Sequence, residues 1–191
     1  LPISRGLLVA AGLLAADDPE VLSPLPAAGR PPERVWIHPG AGSARKRWPL
    51  GRFLAVADRL RAAGKDPAFL AGPAEGDLLP TIRAAGHAVT QPEDLTDLAA
   101  CLRRGSAYLG CDSGPSHLAA WCGIPCAVLF GPSDPARWAP RGRAVRILLP
   151  TLSCRPCFES EPENCAAPDC LLGVRPEEAL AALAALLQPP G

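Results

Sequence analysis

Net charge is what this 191-residue sequence most plainly lacks: nineteen basic and nineteen acidic side chains cancel. A protein whose main task is holding nucleic acid usually carries a basic excess, so the balance argues against that class. Long apolar runs are missing as well. No stretch reaches the roughly 18 residues that a membrane span needs. Residues 6–16 are apolar but short, and they lack the basic start of a signal peptide. The domain is therefore expected to be soluble. Methionine is absent altogether, and the chain opens Leu1-Pro2-Ile3, which reads as the middle of a longer protein. No segment repeats.

What is present is 48% hydrophobic residues, enough for a sizeable core in one large domain or two small ones. Eight cysteines occur without a secretory signal, so thiols or metal ligands are expected rather than a disulfide framework. Cys101, Cys111, Cys122 and Cys126 sit in apolar segments and read as small buried hydrophobes. Residues 1–33 hold one short helical pattern and a Pro-rich connector, "SPLPAAGRPPE", that looks like a linker into the main domain, residues 34–191.

From Arg34 onward, short apolar strands alternate with amphipathic helices. "RVWIHPG" is a strand. "LGRFLAVADRLRAAG" is a helix with apolar spacing at Phe53, Val56, Ala57 and Leu60, stopped at Gly64. "DPAFLAG", "HAVTQ", "SAYLGCD", "IPCAVLFG" and "AVRILLP" are strands. "EGDLLPTIRAAG", "LTDLAACLRRG", "GPSHLAAWCG" and "RPEEALAALAALLQ" are helices. Pro80 must lie in the first turn of its helix or kink it. Alternation of this kind predicts an α/β domain, a doubly wound parallel sheet covered on both faces. Ligands of such sheets bind at the carboxyl ends of the strands. All the polar clusters fall there: "HPGAGSARK", "AGPAEGD", "CDSGPSH" and "FGPSDPARW".

In the first cluster, Gly40 and Gly42 would let the backbone approach a ligand closely. Ser43 offers a hydroxyl, and Arg45, Lys46 and Arg47 add charge suited to phosphate. It matches neither the Walker loop nor G-x-G-x-x-G, and a solvated basic loop is the competing reading. "CDSGPSH" invites three readings. As a hydrolase site, Ser113 is one place too late for a nucleophile elbow, and nothing obvious orients His117. As a metal site it offers only Asp112 and His117, too few ligands. As a helix start it needs less: Ser113 or Asp112 caps, Pro115 fits the first turn, and the amides of residues 114–117 face an anion beside Ser116 and His117. An ordinary helix start is the alternative. Glu75 stands where a carboxylate accepts from ribose hydroxyls, or where it merely suits the helix dipole. Finally, Cys154, Cys157, Cys165 and Cys170 would hold structural Zn²⁺ tetrahedrally, with free thiols or disulfides as the other readings.

Together "HPGAGSARKRWP", "LAGPAE", "LTDLAACL", "YLGCDSGPSHLAAWCGIPCAVLFGPSDPARWAP" and the late cysteines resemble glycosyltransferase family 9, the bacterial lipopolysaccharide heptosyltransferases and their relatives. The likeness covers residues 35–187. It implies a two-domain GT-B fold of which this chain is the C-terminal, nucleotide-sugar-binding half, with residues 1–33 left over from a missing N-terminal domain. It implies that Ser43 and Lys46 bind the donor diphosphate, Glu75 the ribose, and that Leu95 lies against adenine. Asp112, Ser113, Gly114, Ser116 and His117 would form the diphosphate and sugar end, with Lys46 and His117 the groups nearest the chemistry. The implied reaction is inverting transfer from a nucleotide sugar, ADP-heptose, to a lipopolysaccharide-core acceptor held by the missing domain, without a metal or other cofactor for catalysis. Nucleic acid is not an expected partner. The implied location is cytoplasmic, with the inner face of the inner membrane as the alternative. A non-catalytic nucleotide-binding module and a transferase of another nucleotide sugar are the competing functions.

Overall fold

The structure is a computed structural model of the chain and describes residues 34–151, 165 and 170–188. Six strands, β1 (Arg34–His38), β2 (Asp66–Leu70), β3 (Ala88–Thr90), β4 (Ala107–Cys111), β5 (Cys126–Leu129) and β6 (Val145–Leu148), form one sheet in the order β3-β2-β1-β4-β5-β6. Every pairing is parallel, with Ile37 opposite both Phe69 and Leu109, and Cys111 opposite Leu129. The helices are α1 (Leu50–Ala62), α2 (Leu79–Ala84), α3 (Leu95–Leu102), α4 (Gly114–Trp121), α5 (Pro135–Trp138) and α6 (Pro176–Leu187).

Strand residues alternate between two apolar layers. Val35, Ile37, Phe69, Leu109 and Leu129 face Phe53 and Val56 of α1, Ile82 of α2 and Leu183 of α6. Trp36, Leu70, Tyr108 and Val128 face Leu98 and Leu102 of α3 and Leu118 of α4. The central strands are buried on both faces, so they read as continuous apolar runs rather than alternating ones. The expected doubly wound sheet is what forms. Its strand order reverses between β1 and β4, and a crevice opens at such a point.

Helix α1 buries Phe53, Val56, Ala57 and Leu60 and ends before Gly64, whose φ of +76° only glycine adopts without strain. Helix α3 is capped by Asp94, which accepts from the Asp97 amide at 2.8 Å. Two elements differ from the sequence expectation. Helix α2 begins at Leu79 rather than at Glu75, because Pro80 has no N–H and fits only the first turn. Glu75 instead closes a separate 3₁₀ turn, Pro73–Glu75. The segment "DPARW", which the sequence marked only as part of a strand-end cluster, contains the short helix α5, capped by the Asp134 side chain on the Ala136 amide. The helical pattern of residues 5–16 and the linker lie outside the described residues, as do Cys154 and Cys157.

Cys111, Cys122 and Cys126 are buried as expected, while Cys101 is half-buried. Burial among apolar groups pushes the Cys111 thiol up to about 12. Among the described residues, no three metal-ligating side chains come together, and no helix is long and apolar enough to cross a membrane.

Candidate functional site at the sheet switch point

A cleft of about 390 Å³ lies at the carboxyl ends of β1, β2 and β4. Its floor is apolar, formed by Leu70, Leu95 and Leu98, and the amino end of α4, Ser113 to Pro115, lines it as well. Glu75 is buried in its wall. The Gly72 amide donates to Glu75 Oε2 at 2.8 Å, and His38 Nε2 lies 3.7 Å from the same oxygen. Interaction with His38 does most to hold the Glu75 carboxyl below its usual range. Burial opposes, and the Gly72 amide and the charge of Arg47 assist. A buried, ionised carboxylate beside an apolar floor is an acceptor for hydroxyl donors.

Beyond the cleft lining, a second polar group joins three strand ends. Lys46 closes the 3₁₀ turn Ala44–Lys46 after β1, and its Nζ lies 3.1 Å from Asp112 Oδ2. Asp112, next after β4, is buried, and Ser133, in the loop after β5, donates to the same Oδ2 at 2.7 Å. His117 is half-buried in the first turn of α4, and burial pushes its imidazole below the ordinary value of 6.5 while the charge of Asp112 opposes.

The structure sorts the residues singled out from sequence. Glu75, Leu95, Ser113 and Gly114 line the cleft. Lys46 and Asp112 form an ion pair, an arrangement the sequence did not suggest. Ser43 is exposed on the same loop as Lys46. Gly40 is not among the residues lining the cleft, and a Cβ there would overlap the Glu75 carboxylate, so this glycine makes room for Glu75. Ser116 is fully buried, donating to the Cys111 carbonyl at 2.6 Å and contacting the Tyr108 hydroxyl at 3.1 Å. The Ser113 hydroxyl also turns to the Cys111 carbonyl, at 3.2 Å. The expected row of free amides is shorter too, since Pro115 has no N–H and the Ser116 amide donates to the Ser113 carbonyl. Cys165 is half-buried and Cys170 buried.

Sequence reasoning passed over Ser133, His38 and the floor residues Leu70 and Leu98. Ser133 stood inside a quoted strand-end cluster, and the pairing of β4 with β5 was the signal that could have brought it to Asp112.

An all-parallel sheet in this order, with a cleft at its reversal point, defines the class: a Rossmann-like, doubly wound α/β domain. A family model described as glycosyltransferase family 9 (heptosyltransferase) matches residues 14–167, and the chain belongs to that family. Lipopolysaccharide heptosyltransferase 3 of Escherichia coli is 33% identical over 117 residues, which are 56% of this chain and 33% of that protein. A glycosyl transferase family 9 structure from Veillonella parvula DSM 2008 shares 23% identity with a TM-score of 0.69, covering 96% of this chain and 50% of that one. The structure of E. coli ADP-heptose lipopolysaccharide heptosyltransferase II shares 23% identity with a TM-score of 0.67, covering 83% and 47%. These likenesses show the fold, which is GT-B-like in the family. The chain spans about a third of the length of the curated relatives it matches and about half that of these solved chains.

Proposed function

We propose that this chain is the donor-binding, C-terminal half of a GT-B glycosyltransferase and that its cleft holds the nucleotide of a sugar donor, ADP-heptose. The observation that carries the reading is the composition of the cleft. An apolar floor suited to a purine, one buried carboxylate suited to a ribose diol, and a helix amino end suited to phosphate meet at the switch point. Membership of a family of heptosyltransferases supports a heptose as the sugar. The acceptor, a lipopolysaccharide core, and the base that deprotonates it belong to a second domain outside residues 34–191.

The reaction follows from charge. The acceptor oxygen forms a bond to the anomeric carbon as the bond from that carbon to the phosphate oxygen breaks, inverting the centre. Negative charge then grows on the departing diphosphate. Lys46 and the amino end of α4 supply fixed positive potential there, and stabilisation of that charge lowers the barrier. No metal ion is needed in this scheme. Burial lowers the His117 imidazole below its usual 6.5 and so favours its neutral form, which suits it to a hydrogen bond rather than a full charge toward the diphosphate.

Calorimetric titration with ADP and UDP tests this. ADP should bind more tightly than UDP, and Lys46→Ala should weaken ADP about tenfold or more, as expected for a charge-assisted phosphate contact. Equal ADP affinity in both proteins would remove Lys46 from the diphosphate. The chain on its own should bind donor without turning it over, and product formed from ADP-heptose and a lipopolysaccharide-core acceptor would refute the donor-only role.

A further inference from the structure

We infer that Ser133 is a positioning residue that sets Lys46 for the diphosphate by way of Asp112. The inference rests on the reading of the cleft as a nucleoside-diphosphate site.

The strand order brings the ends of β1, β4 and β5 side by side. The Asp112 amide donates to the Leu129 carbonyl at 3.0 Å, so its main chain continues the sheet and is fixed. Only the side-chain torsions of Asp112 remain to be set, and the last of these is a broad sp³–sp² rotor. Ser133 sets it. Its hydroxyl donates to Oδ2 at 2.7 Å, and Lys46 Nζ approaches that same oxygen at 3.1 Å. Ser133 is 2% exposed and Asp112 9%, so bulk water cannot replace the hydroxyl easily.

The hydroxyl also divides the work. By taking up part of the carboxylate's charge it weakens the carboxylate's hold on the Lys46 ammonium. Without it the carboxylate pulls harder on Lys46. The loss should therefore fall on the diphosphate and spare the nucleoside end, where Glu75 and the floor act independently.

Affinities of the whole chain for ADP and AMP, measured by calorimetry, test this in wild type, Ser133→Ala, Ser133→Thr, Lys46→Ala and the Lys46→Ala/Ser133→Ala double variant. Wild type should prefer ADP to AMP. Ser133→Ala should weaken ADP about tenfold, the scale of one hydrogen bond to a charged group, and leave AMP unchanged. Ser133→Thr, which keeps the hydroxyl, should restore the preference. In the Lys46→Ala background, Ser133→Ala should have no further effect, because the residue acts through Lys46. Equal loss of ADP and AMP, or an undiminished effect of Ser133→Ala without Lys46, would overturn the positioning role. Equal affinity of wild type for ADP and AMP would instead overturn the diphosphate reading beneath it.

Discussion

At Gly40 an added Cβ would come within 2.9 Å of Glu75 Cγ and overlap its carboxylate. An overlapped side chain can often swing aside. Glu75 cannot do so freely, because it is buried and its Oε2 accepts from the Gly72 amide. Gly40→Ala should push the carboxylate off that amide while leaving the sheet intact. If Glu75 reads the ribose diol, wild type should prefer adenosine to 2′,3′-dideoxyadenosine, and Gly40→Ala should lose most of that preference, about tenfold. Competition binding with the two nucleosides measures it. An unchanged preference in Gly40→Ala would mean that the carboxylate is not what reads the hydroxyls. The sequence marked both residues, Gly40 as a ligand contact and Glu75 as a ribose acceptor. It could not show that the first exists for the second, since that relation depends on the turn Pro73–Glu75 folding back against β1.

Among the elements, α1 was the most legible and contributes heavily to one apolar layer. Its apolar residues recur at helical spacing, its stop is a glycine, and the buried set is the one the spacing names. Phe53 is fully buried and meets Trp48 edge to face, with ring centroids 4.9 Å apart. The Trp48 indole in turn donates to the Val174 carbonyl at 3.1 Å, and the Arg52 guanidinium reaches the carbonyls of Leu172 and Val174. These bonds tie α1 to the segment leading into α6. Phe53→Ala should therefore cost about 3–5 kcal/mol, the usual range for emptying an aromatic site in a core. Its urea midpoint should fall accordingly without a change in slope; a loss below about 1 kcal/mol would mean the layer closes over the gap. Elements without a period were less legible. Helix α5 has four residues, barely one turn, so no spacing could announce it. The start of α2 was placed four residues early, although Pro80 was expected in the first turn, because the acidic and apolar residues 75–78 also read as helical and the separate turn Pro73–Glu75 carries no period of its own. The Lys46–Asp112–Ser133 group was not legible as a group, because only the strand order brings its three loops together.

For the molecule as a whole, cations and anions balance at nineteen each, so mild acid does not start from a large self-repulsion. Its effect should trace to individual groups. Two histidines carry depressed values. Burial pushes His87 below 6.5, Arg61 adding to the shift and Asp58 opposing it, and burial likewise lowers His117. The His87 ring packs against Phe69 with centroids 5.4 Å apart. A histidine depressed in the folded state binds its proton more readily when unfolded. Between the folded value and 6.5 the unfolded chain therefore holds more protons, and stability falls as pH falls. Glu75 acts in the same direction at lower pH. Its folded carboxyl lies below 4.5, so the stabilisation it gives is whole above 4.5 and is lost as pH drops through the folded value. Thermal midpoints followed by circular dichroism should then be level at neutral pH, decline from about 6.5 downward, and steepen below 4.5. His87→Gln and His117→Gln should each shallow the first decline and leave the second in place. If neither variant changes the slope between 6.5 and 4.5, the imidazoles are not what acid acts on first.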